Sequence, residues 1–146
     1  MDIKKLSGGQ CAIGRSIARV GDAWSMLVLR DAGLGQTRFD GFQKSLGIAP
    51  NILTRRLSAL VEAGLFERRR YSARPPRDEY VLTAAGRDYV SILLMLGGWA
   101  RTHFGDEGTS RPIDRATGRT IRPVVVDAET GTPLTDMNIG LETPTR

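Results

Sequence analysis

The chain has few of the side chains that bind metals or form cross-links. Its 146 residues include one cysteine, Cys11, and one histidine, His103. A single cysteine excludes an intramolecular disulfide, and these two side chains are too few soft ligands for a zinc site within one chain. We therefore predict that the protein holds no metal and needs no cofactor.

Long apolar runs are also missing. The longest, residues 92–96, is far shorter than the roughly 20 residues that span a bilayer, and no secretory segment follows Met1. We expect a cytoplasmic protein with no membrane partner.

The residue patterns that enzymes use are absent as well. The sequence has no paired carboxylate site, no glycine-rich phosphate-binding loop and no cysteine–histidine dyad at a convincing spacing. The one histidine follows the last long predicted helix. We therefore predict no catalytic residues and no enzyme activity.

What the chain does have is an uneven excess of basic residues. Its length suits about one domain, and its apolar fraction of 40% and charged fraction of 25% are ordinary for a globular protein. Residues 1–105 contain 16 basic and 9 acidic side chains, whereas the remainder contains 5 and 7. The first part is therefore the part that we expect to meet a polyanion.

Residues 37–82 have the pattern of a winged helix-turn-helix. A short helix, a tight turn and a second helix are followed by two strand-like runs around a basic, proline-bearing loop. Pro50 suits the first position of the second helix, and Gly64 suits the left-handed residue after its end. The second helix is therefore predicted over residues 50–63, within a fold that is α+β but mainly α.

This second helix has an apolar face and a polar face. At 100° per residue, the first face carries Leu53, Leu57 and Leu60, and the second carries Asn51, Thr54, Arg55 and Ser58. Asparagine and arginine suit bidentate contacts to adenine and guanine, while threonine and serine can hydrogen-bond a base or a phosphate. The alternative is an ordinary solvated face of a surface helix, and the basic hairpin that follows favours DNA.

That hairpin is predicted from two strand-like runs, residues 65–71 and 79–82, joined by a loop over residues 72–78. Basic side chains are concentrated in it and in the preceding short helix. The candidate DNA contacts are Arg68 and Arg70 in the first strand, Arg74 and Arg77 in the loop, and Arg38 and Lys44 around the short helix. We predict that the hairpin reaches phosphates or a minor groove, although an arginine run can also be plain solvated surface.

Short motifs in a fixed order run from residue 11 to residue 104. They are Cys11, Gly21-Asp22-Ala23-Trp24, Leu29-Arg30, Arg38-Phe39, Ile48-Ala49-Pro50 with Leu53-Thr54-x-Arg56-Leu57, Gly64-Leu65, Pro75-Pro76-Arg77-x-Glu79-Tyr80 and Leu82-Thr83-x-x-Gly86. This set resembles the HxlR-type branch of the MarR-like winged-helix regulators. One departure is Ala49, because the family usually has serine there as a helix cap and phosphate donor.

The resemblance implies a homodimeric bacterial transcription factor that binds a pseudo-palindromic operator in double-stranded DNA, with one winged helix per half-site. Such a protein would be associated with the nucleoid, and we expect a repressor rather than an activator. The serious alternative is a winged-helix protein-interaction module without specific DNA binding. RNA is disfavoured because no aromatic stacking platform accompanies the basic residues.

Cys11 is a candidate redox sensor. A thiol in the first turn of a helix lies at the positive end of the helix dipole, and Arg15 follows four residues later, so both favour a thiolate. In the family, a cysteine at this position senses oxidants or electrophiles in some members. The alternative is a small buried side chain.

Trp24 also has two interpretations, since it suits either the core or the wall of an effector pocket.

A long helix capped by Thr83 carries Tyr89, Ile92, Leu96 and Trp99 at helical spacing. This is more apolar surface than one small winged domain covers, so a partner chain is expected to pack on it, and the family dimerises through its terminal helices. The alternative is purely intramolecular packing.

The predicted organisation is a flexible N-terminus at residues 1–10, the winged helix-turn-helix domain at 11–105, and a C-terminal extension at 106–146. The extension repeats D-x-x-T-G at residues 114–118 and 127–131 and is β-prone over Pro123 to Val126. Two tight turns flanking a strand are predicted, since aspartate and glycine are turn residues. The spacing of the two repeats resembles that of the paired ligand motifs in a zinc ribbon, and we interpret the extension as a metal-free relic of such a ribbon. The alternative is a flexible tail.

Overall fold

The computed structural model describes residues 2–142, and it has the mainly helical winged helix-turn-helix fold that the sequence predicts. The helices are α1 Ile3–Ser7, α2 Ala12–Val20, α3 Ala23–Gly33, α4 Phe39–Leu46, α5 Pro50–Glu62 and α6 Ala84–Phe104, with a 3-10 helix at Leu134–Asp136. Strands β1 Phe66–Ala73 and β2 Pro76–Leu82 form an antiparallel pair.

The chain divides into two compact units between Val90 and Ser91. This division lies inside α6, whereas the domain boundary predicted at residue 105 follows the end of that helix. The first unit contains α1 to α5 and the hairpin, and the second contains most of α6 and the C-terminal extension.

The core of the first unit lies where α3, α4 and α5 meet. The fully buried side chains there are Val28, Leu29, Phe42, Leu53, Leu57 and Leu60. Phe66 at the start of β1 makes edge-to-face contacts with Phe42 of α4 and with Tyr80 of β2, each with ring centroids 6.2 Å apart. Aromatic packing therefore holds the hairpin against the helices.

Side-chain caps begin helices α3 and α6. Asp22 accepts a hydrogen bond from the Ser25 N–H, which confirms it as the cap of α3. Thr83 Oγ1 accepts from the Gly86 N–H at 3.2 Å and donates to the carbonyl of Gly64 at 2.6 Å. A Cβ on Gly86 would lie 2.3 Å from the carbonyl oxygen of Leu65, so this close approach requires glycine.

The predicted hairpin loop over residues 72–78 is wrong. The strands continue to Ala73 and from Pro76, which are paired, and only Arg74 and Pro75 form the turn. A bulge at Tyr71 allows the register to shift between Arg70 and Ser72. Proline is tolerated at residue 76 because it is the first residue of its strand.

The N-terminal segment contains a helix that the sequence analysis did not predict. Asp2 caps α1 by accepting a hydrogen bond from the Lys4 N–H at 3.0 Å. Leu6 lies against the buried Gly14 of α2, where a side chain on the glycine would meet it at 3.5 Å. This contact is part of the packing of α1 on α2, in a segment that looks polar in sequence. Met1 lies outside the described residues.

The two predicted D-x-x-T-G turns are confirmed. Asp114 and Asp127 each accept a hydrogen bond from the threonine hydroxyl three residues on, at 2.9 and 2.8 Å. Gly118 and Gly131 are left-handed, with φ of 71° and 69°, and their N–H groups donate to the same aspartates' carbonyls. The geometry of the turns follows the repeat in the sequence.

The prediction of a strand between these turns, at residues 123–126, is wrong. Val126 pairs with Pro133, and Ile113 pairs with Thr120, each as an isolated bridge. Each turn closes on its own flanking residues, so the segment between them has no continuous partner. Residues 143–146 of the predicted extension lie outside the described residues.

Two further observations concern ligands and membranes. Within residues 2–142, no three His, Cys, Asp or Glu side chains come together as a metal site. In the same residues, no helix is both long and apolar enough to cross a bilayer.

Candidate nucleic-acid interface

Helix α5 separates a buried face from an exposed one as predicted. Its three leucines are fully buried, and the candidate base-reading side chains are all exposed: Asn51, Thr54, Arg55 and Ser58. Pro50 begins the helix, and Ala49 before it provides no side-chain cap. The missing serine hydroxyl therefore leaves this helix start without the usual cap.

The four exposed side chains differ in what they still offer a ligand. The Thr54 hydroxyl donates to the carbonyl of Pro50 at 2.9 Å, so it can only accept a further hydrogen bond. Within the described part of the chain, the side chains of Asn51, Arg55 and Ser58 have no hydrogen-bond partner. These three retain their full set of donors and acceptors.

Arg56 differs from its neighbour Arg55. Its Nε lies 3.5 Å from Asp22 Oδ1, which is an ion pair without the geometry of a hydrogen bond. The pair joins α5 to the start of α3. Sequence periodicity did not predict this contact, because Asp22 and Arg56 are far apart along the chain.

Arg38 is part of the hairpin surface. Its guanidinium carbon lies 4.2 Å from the centroid of the Tyr71 ring, in a cation–π contact. A backbone bridge from Arg38 to Glu79, and a hydrogen bond from the Tyr80 N–H to the Thr37 carbonyl, join this segment to β2. Sequence analysis missed Tyr71, whose ring orients Arg38.

Lys44 lies in the last turn of α4 and is exposed. Its ammonium has no hydrogen bond or ion pair among the described residues, so its charge is free to meet a phosphate.

The arginines of the hairpin fall into two groups. Arg68 and Arg70 share Asp78 on the facing strand, with Nε to carboxylate distances of 2.8 and 3.2 Å. The hydrogen bond from Arg70 holds the pKa of Asp78 below its ordinary value, and Arg68 adds to this effect. The carboxylate is therefore ionised at neutral pH and offsets one of the two positive charges.

Arg74, in the two-residue turn, and Arg77, near the start of β2, form the second group. Both are exposed, and neither has a partner in the portion of the chain that the structure describes. They are the most available cations of the hairpin. All ten candidate DNA contacts lie in the first compact unit.

Cys11 is exposed and caps α2. Its Sγ accepts a hydrogen bond from the Gly14 N–H at 3.4 Å. The sequence analysis expected Arg15 to act on the thiol. In the structure, Arg15 Nε instead donates a hydrogen bond to the carbonyl of Gly9 at 2.7 Å. Cys11 is exposed, so the alternative prediction of a small buried side chain is wrong.

Comparison with known proteins points to one family. Residues 19–107 match the family model described as HxlR-like helix-turn-helix. The HTH-type transcriptional regulator Rv3095 of Mycobacterium tuberculosis (strain ATCC 25618 / H37Rv) is 44% identical over 101 residues. The match covers 69% of this chain and 61% of Rv3095, so the chain spans less than two thirds of that relative.

Two solved structures match almost the whole chain. PA1607, named as a transcription factor, is 35% identical, covers 94% of this chain and 99% of its own, and has a TM-score of 0.81. PA1374 from Pseudomonas aeruginosa, also named as a transcription factor, is 44% identical, with coverages of 93% and 95% and a TM-score of 0.65. Matches this long must include much of the C-terminal extension, which begins where the family model ends.

A redox regulator is also among the similar structures. HypR in its reduced form is 26% identical, covers 64% of this chain and 94% of its own, and has a TM-score of 0.60.

Proposed function

Because the chain belongs to the HxlR-like helix-turn-helix family, we propose that it is a transcriptional regulator that binds a specific DNA operator and represses transcription. The observation that carries this proposal is the exposed face of α5, where three side chains with unused donors and acceptors stand opposite a fully buried leucine face. The protein acts in the cytoplasm, in association with the nucleoid.

Helix α5 enters the major groove. Arg55 suits a bidentate contact to guanine O6 and N7, and Asn51 suits the matching contact to adenine. Ser58 can reach a base or a phosphate, while Thr54 accepts a hydrogen bond because its own proton is held by Pro50. Asn51 and Arg55 are four residues apart, so they lie on one face of the helix.

The hairpin adds contacts that do not depend on sequence. Arg74 in its turn and Arg77 near the start of β2 reach the flanking minor groove or phosphates. Arg38 and Lys44 hold the DNA backbone nearer to α4. Arg68 and Arg70 contribute less, because Asp78 already offsets part of their charge. The free arginines and lysine set the salt dependence of binding.

Two copies of the chain bind one pseudo-palindromic operator. Helix α6 exposes large apolar side chains, among them Ile92, Leu96, Trp99 and Phe104, at 60%, 47%, 47% and 75% of their full area. Ile13 of α2 is 72% exposed. Packing a second copy on such surfaces removes apolar area from water. The two copies of α5 then read half-sites about one helical turn, roughly 34–36 Å, apart.

An effector releases the operator. The exposed Cys11 thiol is a target for oxidants and electrophiles. The similarity of the chain to the redox regulator HypR supports a redox effector. A small molecule is the other class of effector. Either effector would favour an arrangement of the dimer in which the two copies of α5 no longer match the spacing of the half-sites.

The test is fluorescence anisotropy of the duplex upstream of the protein's own gene, measured against a scrambled duplex of equal length at physiological salt. We expect a preference of about a hundredfold or more for the native duplex. Equal, salt-sensitive binding to both duplexes would count against specific recognition of this site. Binding to neither would favour a protein-interaction module instead.

A further inference from the structure

A cleft of about 350 Å³ lies within the second unit, between the C-terminal half of α6 and the extension. Its size is at the lower end of the range for small-molecule pockets. Gly98 and Pro123 form part of the lining, and a Cβ on Gly98 would lie only 2.9 Å from Pro123 Cγ. The extension therefore packs closely on the helix because residue 98 has no side chain.

The lining of this cleft is positively charged. It contains Arg101, Arg111 and Arg122, and its one acidic side chain is Asp106. Arg111 donates to Asp106 Oδ2, and Arg101 Nε lies 4.0 Å from Oδ1. Hydrogen bonds to Asp106, first from Thr109 and then from Arg111, lower the pKa of its carboxyl, so its charge is present at neutral pH. Two positive charges are left uncompensated in the lining.

Three groups in the cleft have donors to spare. The guanidinium of Arg122 and the hydroxyl of Thr120 have no side-chain hydrogen bond or ion pair within residues 2–142. Arg111 uses one nitrogen on Asp106 and keeps its remaining N–H groups. Arg101 donates to the carbonyl of Ser110 at 3.3 Å, and only 18% of its side chain is exposed. The cleft therefore combines one largely buried cation, Arg101, with exposed donors on Arg111, Thr120 and Arg122 that remain available to a ligand.

We propose that this cleft binds a small anion that carries a carboxylate or phosphate group, with Arg122 as the main contact and Arg111 and Thr120 as supporting ones. A planar guanidinium suits both kinds of oxyanion, because it donates two parallel hydrogen bonds. The binding itself does not depend on DNA. Only the role of the anion as an effector rests on the proposed function.

The experiment is isothermal titration calorimetry of the full chain with two separate probes, malonate and inorganic phosphate. Ionic strength is held constant with sodium chloride. We expect one site per chain for at least one probe, and the probe that binds identifies the class as carboxylate or phosphate. Arg122→Ala should weaken binding about tenfold or more, since it removes a charge-assisted hydrogen-bond pair.

The matched control is Arg119→Ala. It removes the same charge from the same extension, but Arg119 does not line the cleft, so affinity for the anion should stay within about twofold. Thr120→Val is a second test in the lining and should weaken binding while leaving the charge unchanged. The thermal melting of each variant checks that the extension remains folded.

Three results would overturn the proposal. One is the absence of binding by either probe to the wild-type chain. Another is an equal loss in the variants of Arg122 and Arg119, which would show a diffuse electrostatic attraction without a site. The third is weaker DNA binding by the Arg122 variant with unchanged anion binding, which would assign this arginine to the DNA backbone.

Discussion

Arg68 Nε donates a hydrogen bond to Asp78 Oδ2 at 2.8 Å, across the two strands of the hairpin. The other carboxylate oxygen accepts from Arg70 at 3.2 Å. Two arginines that the sequence marks as DNA contacts are thus held by one carboxylate. The net charge of the hairpin, which we propose to contact DNA, is therefore set by this acid as well as by the number of its arginines.

Replacing Asp78 by asparagine should strengthen DNA binding. The change removes a negative charge and frees Arg68 and Arg70 to meet phosphates. The slope of log K against log salt concentration should become steeper by about one to two units. Anisotropy titrations at several salt concentrations measure it.

Glu67→Gln is the matched control for that change. Glu67 pairs with Arg69 at 3.0 Å on the same strand, and Arg69 is not a candidate contact. Neutralising Glu67 should change the slope of log K against log salt concentration by less than the Asp78→Asn substitution does. Equal slopes for the two variants would contradict the special position of Asp78.

Replacing Arg74 and Arg77 together by alanine should flatten the salt dependence by about two units, because each free cation releases counterions when it meets a phosphate. Affinity should fall on all sequences alike. A double variant of Lys4 and Lys5 removes the same charge from α1, outside the helix-turn-helix and hairpin. If both double variants changed the slope equally, the hairpin would have no particular role.

The sequence predicted α5 well because its signals are local. Pro50, Gly64 and three leucines at helical spacing determine its start, end and buried face. The hairpin was predicted less well, since its pairing depends on a distant partner: Asp78 faces Arg68 and Arg70 only after the strands meet. The contact of Arg38 with Tyr71 has the same cause.

The cleft in the second unit could not be predicted for a related reason. Arg101 comes from α6, while Arg111 and Arg122 come from irregular segments of the extension. No spacing in the sequence brings them together. By contrast, the repeated turns of the extension were predictable, because each is closed by an aspartate within its own five residues.

Replacing Arg55 by alanine should relax sequence preference and reduce affinity for the operator by about 1–3 kcal/mol. Arg55 has no partner among the described residues, so the substitution should remove a contact with DNA and no contact within the protein. Titrations against operators altered at single base pairs would locate the base it contacts. Uniform weakening on all sequences would show that Arg55 holds a phosphate.

The neighbouring Arg56→Ala variant is the control for this result. It loses the ion pair with Asp22, which is half-exposed, so unfolding stability should fall by no more than about 1 kcal/mol. Base preference should remain. A change in preference equal to that of the Arg55 variant would mean that both arginines orient α5 indirectly.

Replacing Ile92 by glutamate should separate the proposed homodimer. The new carboxylate would lie in an apolar interface without a partner, so the dimer should dissociate at least tenfold more readily. Light scattering coupled to size-exclusion chromatography measures the mass at several protein concentrations. Leu34→Glu is the control, because Leu34 is 67% exposed but lies outside α6. A dimer that survives the change at Ile92 would place the interface elsewhere.

Replacing Cys11 by serine should abolish any response of DNA binding to diamide or to a quinone. The chain has no other cysteine, so this variant removes all thiol chemistry. Serine is also a good helix cap and can replace Sγ as the acceptor from the Gly14 N–H. Stability and basal DNA affinity should therefore stay close to those of the wild-type chain.

This retained capping is what makes the serine variant informative. Cys11→Ala removes both the thiol and the cap, and it should cost up to about 1 kcal/mol of unfolding stability. If the serine variant ignored oxidant while binding DNA normally, the thiol would be the sensor. If it still responded, Cys11 would act only as the cap of α2, and the effector would be a ligand that binds without thiol chemistry.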